Sequence, residues 1–191
     1  MGRRAAPVRR GIPGQPDRGP ARSWHRRRCR ARCCSVPLDL SGVSDPRLVR
    51  AFDYWDRIRG DRRMPSRRDI QPKDIKALLP HVFLVDVLRH PPRFRIRLAG
   101  TEVNNRFGTD LTGRFLDELD LGSRQQAILA AYAATVDAGE PSLDSEEYLR
   151  RDGRPLRYRR LLCPLSSDGR TVDMLFGVLA GLPSAPSGQP E

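Results

Sequence analysis

The spacing of apolar residues predicts an amphipathic helix over residues 45–59. Its apolar side chains recur every three to four residues, which places them on one face of an α-helix. They are Leu48, Phe52 and Trp55. Asp45 followed by Pro46 predicts the start of the helix, because aspartate caps free N–H groups and proline fits the first turn. The apolar stripe either packs on a sheet of the same chain or forms dimer contacts.

Two strands are predicted after this helix. A short helix over 72–79 precedes them and ends at Pro80. Residues 81–88 are apolar and β-branched, as is typical of a strand. Residues 93–99 alternate strictly, so one face of the second strand carries apolar side chains and the other carries arginines. The apolar set is Phe94, Ile96 and Leu98, and the arginines are Arg93, Arg95 and Arg97. The two strands form a hairpin.

The remaining pattern changes from helices to strands. Thr101 is expected to cap a short helix, and a longer helix is predicted over 123–138. Three strands follow at 142–150, 154–164 and 171–181. Tight turns join these strands, and Asp152-Gly153 is the strongest turn signal in the chain. The order predicts an α+β fold: a five-stranded antiparallel sheet, a helical insertion after the second strand, and an N-terminal amphipathic helix.

Two stretches of sequence resemble the PAS domain family. They are WDRIRGDRRMPSRRDIQPKDIKALLPHVFLVDV at 55–87 and RFRIRLAGTEVNNRFGTDLTGRFLDEL at 93–119. Together they look like the short single-PAS bacterial proteins of the fifth PAS subfamily, over residues 45–182. The resemblance implies a sensory or interaction module that binds a small ligand or a protein partner. Because no output domain is recognised, the signal is expected to leave through an unidentified signalling protein.

Known PAS cofactors imply residue signatures that can be compared with this sequence. Flavin photosensors of the family carry a reactive cysteine in the helical insertion, and residues 104–107 contain none, so flavin is predicted to be disfavoured. Haem needs an axial histidine from the helical region. The histidines are His25, His81 and His90, outside that region, so haem is disfavoured as well. Cys163 lies on a predicted strand, which does not suit a cysteine-linked chromophore. The cofactor is therefore left unknown.

Apolar residues of the hairpin, the insertion and the last strands predict a pocket between sheet and helices. A few polar side chains would orient a ligand there, as in most small-molecule sites. The predicted pocket residues are Phe83, Val85, Phe94, Ile96, Leu98, Thr101, Val103, Asn104, Phe107, Leu111, Tyr148, Leu161 and Phe176. The alternative is that the apolar members simply form the core, while Thr101 caps a helix and Asn104 bonds a nearby loop.

Charge is concentrated at the N-terminus. The formal net charge is +12 over 191 residues. Residues 1–34 hold eleven arginines and one aspartate, or 11 − 1 = +10, which leaves +2 for the rest. Residues 1–44 are predicted to be a disordered basic tail, with an unused upstream start codon as one explanation for it, and 183–191 are predicted to be a second disordered tail. The first tail could also be a nucleic-acid or membrane arm. A metal site at His25 and the nearby cysteines is a further alternative, although their spacing is a weak signal for one.

An arginine ladder raises the nucleic-acid alternative a second time. The ladder consists of Arg93, Arg95 and Arg97 on the second strand, and it can extend to Arg157, Arg159 and Arg160. Acidic residues on neighbouring strands offer ion-pair partners, namely Asp144, Glu146 and Asp173. A solvated sheet face of mixed charge is the expected outcome, so nucleic-acid binding is predicted to be unlikely.

Catalytic signatures are not evident in the sequence. The adjacent carboxylates Asp117-Glu118 and Glu146-Glu147 point in different directions on a helix or a strand, so they make poor acid/base pairs. No nucleophile or phosphate-loop motif occurs, and a non-enzyme is predicted. Without a long apolar stretch or a signal-peptide pattern, a cytoplasmic protein without a membrane span is expected.

Overall fold

The computed structural model describes residues 45–149 and 155–181, together with Leu38, Leu40, Val43 and Gly153. The main elements, in chain order, are α1 (Pro46–Arg59), β1 (Val82–Arg89), β2 (Pro92–Ala99), α2 (Thr101–Phe107), α3 (Gln125–Ala138), β3 (Ser142–Leu149), β4 (Pro155–Leu165) and β5 (Met174–Gly181). Short 3-10 turns connect several of them. This order confirms the predicted α+β fold with its insertion after the second strand.

Helix α1 begins and ends where the local signals placed it. The Asp45 side chain accepts a hydrogen bond from the Arg47 N–H at 2.9 Å, and Pro46 occupies the first turn. Gly60 ends the helix with a φ of 58°, a left-handed conformation that glycine adopts readily. Leu38 and Val43, within the segment predicted to be a disordered tail, are partly buried against the core. Apart from Leu40, the other predicted tail residues, including all of 183–191, lie outside the described residues.

Three helical predictions differ from the structure in detail. The helix expected over 72–79 is replaced by 3-10 turns at Pro72–Ile75 and Leu79–His81. Gln71 provides no side-chain cap for the first turn, and Pro80 disfavours an α conformation at the preceding residue. The short helix α2 is capped at Gly100 without a side-chain bond, so Thr101 is its first residue and not its cap. Helix α3 starts two residues late, after a 3-10 turn at Gly122–Arg124.

The sheet has the strand order β2-β1-β5-β4-β3, and every neighbouring pair is antiparallel. The first and last strands of the folded region thus meet at the centre of the sheet. The turn between β4 and β5 is held by Asp168, whose carboxylate accepts hydrogen bonds from Arg170 N–H and Thr171 N–H at 2.8 and 2.7 Å. Of the predicted Asp152-Gly153 turn, only Gly153 is described, with a φ of 75°.

A β-bulge breaks the predicted alternation of β2. Leu84 pairs with Leu98, but Val85 pairs with Ile96, so Arg97 is an extra residue in this strand. A bulge turns the following side chain relative to the regular pleat. The side chain of Leu98 is consequently 44% exposed, and the prediction that it shares a buried face with Phe94 and Ile96 is wrong.

Both faces of the sheet are covered. Helix α1 packs on one face, where Trp55 Nε1 donates a hydrogen bond to the Pro164 carbonyl at 2.9 Å and the Tyr54 ring lies 6.4 Å from the Phe176 ring. The opposite face is covered by α2 and α3, with ring distances of 6.0 Å for Phe107–Tyr158 and 5.5 Å for Phe94–Tyr132. Within the described part of the chain, no helix has the length and apolar character needed to cross a membrane.

Candidate ligand cavity

A small cavity lies between the sheet and the helical insertion. Its volume is about 30 Å³, room for about two water molecules. The lining residues come from β1, β2, β4 and β5, from α2 and α3, and from the turns between the helices. They are Phe83, Ile96, Val103, Phe107, Leu111, Leu116, Leu119, Leu121, Ile128, Tyr132, Tyr158, Arg160 and Leu179. The wall is therefore apolar except for two phenols and one guanidinium.

Part of the predicted pocket lines this cavity. These residues are Phe83, Ile96, Val103, Phe107 and Leu111. Val85 is fully buried but is not among the lining residues. Phe94 is half-buried and reaches the helical side through its contact with the Tyr132 ring. The side chain of Tyr148 lies outside the described residues.

The other predicted pocket residues lie elsewhere. Successive side chains on a strand point to opposite faces of the sheet. Phe176 on β5 and Leu161 on β4 both point away from the cavity, to the face that α1 covers. Thr101 is exposed on α2. Asn104 Oδ1 accepts from the Leu111 N–H at 3.1 Å and Asn104 Nδ2 donates to Asp110 at 3.0 Å, so Asn104 holds the loop after α2.

Sequence reasoning missed the residues contributed by α3 and by the cavity side of β4. Ile128 and Tyr132 are spaced by one helical turn on α3, and both are buried. Tyr158 and Arg160 alternate on β4, and both are almost fully buried. The period-2 pattern of β4 was the signal that could have separated these two from Leu161. Arginine is so rarely buried that Arg160 was assigned to an exposed ladder instead.

Arg160 is the most unusual residue of the cavity wall. Its side chain is only 2% exposed, and its guanidinium carbon lies 4.7 Å from the centre of the Tyr132 ring. Its Nη2 lies 3.3 Å from Asp144 Oδ2 and 3.6 Å from Glu146 Oε1. Its Nε is buried and has no hydrogen-bond partner among the described residues. The terminal nitrogen is thus ion-paired, while the inner N–H group is left unsatisfied.

Glu146 connects this buried arginine to the surface. Its Oε2 accepts hydrogen bonds from Arg124 Nε and Nη2, both at 3.2 Å, while its other oxygen faces Arg160. Glu146 is 4% exposed, whereas the Arg124 side chain is 45% exposed. Burial raises the pKa of the Tyr132 phenol, although Arg160 acts in the opposite direction. The phenol beside Arg160 is therefore neutral at pH 7.

The expected arginine ladder does not form a free phosphate-binding stripe. Arg95 and Arg97 both contact the buried carboxylate of Asp86, at 2.8 and 2.7 Å. Arg93 pairs with Asp117 and Glu118, at 2.9 and 2.7 Å. The carboxylates expected to pair with an exposed ladder make other contacts. Asp144 and Glu146 face the buried Arg160, and Asp173 accepts a hydrogen bond from the Ser167 N–H. The prediction of an exposed Arg160 is wrong because β4 is an inner strand with both faces covered.

The apolar stripe of α1 packs largely on the sheet of its own chain. Leu48 and Trp55 are 0% and 3% exposed, and Phe52 is half-buried with its ring 6.3 Å from the Trp55 ring. No group of three or more His, Cys, Asp or Glu side chains in the described ranges is placed to hold a metal ion. The cysteines and His25 of the predicted metal alternative lie outside those ranges.

His81 joins the start of β1 to the start of α1. Arg47 Nη1 lies 3.1 Å from His81 Nε2, and Arg47 is itself ion-paired with Asp45. Burial lowers the pKa of His81, and the nearby Arg47 charge lowers it further, while Glu102 and Asp45 act in the opposite direction. A neutral imidazole accepts the Arg47 hydrogen bond. Protonation would replace this bond with repulsion between two cations.

Several solved structures are similar to the chain. A light-oxygen-voltage domain studied with a flavin analogue has a TM-score of 0.47 and 16% identity, covering 59% of this chain and 84% of that one. The Rhodobacter sphaeroides light-oxygen-voltage protein has a TM-score of 0.47 and 16% identity, covering 61% and 71%. The dark structure of the Aureochrome1 blue-light photoreceptor domain has a TM-score of 0.45 and 17% identity, covering 59% and 82%.

These neighbours contradict the prediction that flavin is disfavoured. That prediction used the missing cysteine at 104–107, which is a criterion for covalent photochemistry and not for holding a flavin ring, while the similar structures are light-oxygen-voltage domains. No protein among the curated ones matches the sequence. A family model for the PAS domain matches residues 43–180. The chain belongs to the PAS domain family.

Proposed function

We propose that this protein is a sensory module whose input is a small molecule held in the cavity between the sheet and the helical insertion. The observation that carries the proposal is Arg160, a buried arginine at the wall of an apolar cavity with an unsatisfied Nε. Ligand sites are mostly apolar and contain a few polar groups that fix orientation. If no ligand were bound, an apolar side chain at position 160 would be more stable than arginine, because a buried N–H group without a hydrogen-bond partner is destabilising.

The proposed output is a change in how α1 packs on the sheet. Strand β4 contributes to both faces, because Arg160 lines the cavity and the next residue, Leu161, points to the α1 side. The same strand accepts the Trp55 hydrogen bond through Pro164. A ligand that shifts β4 at Arg160 would favour a different packing of α1, and so change what a partner protein meets.

Native mass spectrometry of the full chain, purified from the cells that make it, tests the proposal. The expected result is a reproducible mass above that of the polypeptide. A Leu121→Trp variant is the matched control, because a larger side chain at this cavity position should exclude the ligand. Two results together would contradict the proposal: repeated preparations give only the mass of the polypeptide, and they show no absorbance in the visible range.

The small size of the cavity favours a second function. A volume of about 30 Å³ is far below the roughly 300 Å³ at which drug-sized ligand pockets begin. A nearly filled core suits a module that senses a protein partner through its surface. Capture of a defined partner by an unliganded protein, with unchanged affinity in Leu121→Trp, would support this alternative over the first.

A further inference from the structure

The Nε–H group of Arg160 needs an acceptor that the described residues do not supply. A buried donor without a partner is destabilising, and more so when the group is charged. Nη2 faces Asp144 and Glu146, so these carboxylates serve the far side of the guanidinium. Because Arg160 lines the cavity, an acceptor placed inside the cavity is the remaining source.

A water molecule in this cavity has three polar side chains near it, those of Arg160, Tyr132 and Tyr158, and apolar side chains on its other sides. A buried water makes about three hydrogen bonds, with a usual range of two to four. Apart from Arg160 and the phenols of Tyr132 and Tyr158, the lining side chains are leucine, isoleucine, valine and phenylalanine. An apolar molecule with one oxygen fits this wall better than water, because the oxygen accepts the hydrogen bond from Nε and the apolar part packs against the leucines.

The charges around Arg160 determine the kind of oxygen. Arg124 and Arg160 face Asp144 and Glu146, so two positive charges balance two negative ones. An anionic ligand would add a negative charge beside two carboxylates, in a region of low dielectric constant where like charges repel strongly. A neutral carbonyl oxygen accepts the hydrogen bond and leaves the balance intact.

We infer that the cavity selects a small neutral molecule that presents a carbonyl oxygen to Arg160 Nε and is otherwise apolar. This inference rests on the proposed function and specifies its ligand class. Any molecule larger than about two waters must displace the helical cover outwards. That cover includes Leu116, in the short turn Leu116–Glu118, and Leu119, directly after it.

Three probes of matched shape test the inference on the full chain: acetone, isobutene and acetate. They share the same number of non-hydrogen atoms and differ in bearing a carbonyl, no oxygen, or a carboxylate. NMR titration follows the Arg160 Nε–H resonance in the wild type, and the methyl resonances of the cavity residues Leu116, Leu119 and Leu121 give each affinity in the wild type and the variants. Acetone should shift the Nε–H resonance in a saturable way, while isobutene and acetate should not.

Arg160→Lys supplies the matched variant, because lysine keeps the positive charge for Asp144 and Glu146 but has no Nε–H group. The ratio of acetone affinity to isobutene affinity should fall by about tenfold or more, the size expected for a lost hydrogen bond to a charged group. Arg124→Lys is the control, since Arg124 pairs with the same Glu146 but does not line the cavity. In that variant the ratio should stay the same.

Each outcome decides something different. An unchanged ratio in Arg160→Lys, or an acetate affinity equal to that of acetone, overturns the inference. If none of the probes binds while native mass spectrometry finds a ligand, the carbonyl inference fails and the proposed function stands. If no probe binds and the native mass is that of the bare chain, both fail. Should Arg160→Lys not fold, the wild-type Nε–H titration decides alone.

Discussion

The ring of Phe83 on β1 lies directly against the backbone of Gly177 on β5, leaving no room for a β-carbon at position 177. The two residues are paired across the central strands of the sheet. Phe83 also lines the cavity, so the absence of a β-carbon at position 177 leaves space for a ring of the cavity wall. Gly177 is thus required by close approach, and not by its backbone conformation.

Gly177→Ala should lower the free energy of unfolding by about 1–3 kcal/mol, because the added methyl group overpacks a filled region. Urea denaturation measures the change. In a Phe83→Ala background the same substitution should cost less, since the ring that it meets is gone. Equal costs in both backgrounds would show that the contact between these residues does not set the penalty.

The stability of the protein should decrease as the pH falls below about 6.5, the ordinary histidine pKa. The pKa of His81 in the folded protein is lowered by burial and by Arg47, so the unfolded chain takes up this proton first. Unfolding is then favoured between pH 6.5 and the lower folded pKa, and above that range the contribution of neutral His81 is fully present. Arg106 adds to the lowering, whereas Glu102 and Asp45 oppose it.

Denaturation of His81→Gln at several pH values isolates this contribution. The variant should lose less stability between about pH 7.5 and about pH 5.5 than the wild type does. His90→Gln, in the exposed β1–β2 turn, is the control and should behave as the wild type. If the stability of His81→Gln depends on pH as that of the wild type does, groups other than His81 cause the loss of stability at low pH.

Trp55→Phe should destabilise the docking of α1. The substitution removes the indole N–H that donates to the Pro164 carbonyl in a buried position. The cost should be about 1–3 kcal/mol, because the carbonyl is left without its partner. Thermal unfolding followed by circular dichroism measures it. A melting temperature equal to that of the wild type would mean that the hydrogen bond contributes nothing to the α1 packing.

Phe52→Glu tests the remaining role of the α1 stripe. Phe52 is half-buried and contacts Trp55, so a charged side chain here should lower stability, break a dimer formed by this face, or do both. Light scattering gives the oligomeric state, and urea denaturation gives the stability. Arg50→Glu, exposed on the same helix, controls for the added charge. If neither quantity changes, the stripe has no structural or dimeric role at Phe52.

Local signals predicted the elements well because their causes are local. The Asp45-Pro46 start of α1 and its glycine end depend on a few neighbouring residues, and the structure has them as expected. The position of Leu98 was wrong because a bulge depends on how β2 pairs with β1, which no short window of sequence specifies. The extra residue alone moved Leu98 out of the buried face.

The cavity was harder to predict than the fold. The burial of Arg160 follows from the inner position of β4, and the strand order β2-β1-β5-β4-β3 is a property of long-range pairing. Its partners Asp144 and Glu146 were recognised as charges near an arginine face, but were assigned to an exposed surface. Alternation along β4 could separate Arg160 from Leu161, yet it could not show that both sides of the strand are covered.

Hydrogen exchange of the α1 backbone amides tests the central claim most directly. The full chain as purified from its cells is compared with the same chain stripped of small molecules by unfolding and refolding. If cavity occupancy controls how α1 packs, exchange across Pro46–Arg59 differs between the two forms, and Leu121→Trp shows no such difference. Identical α1 exchange in the purified and stripped wild-type protein would contradict the account.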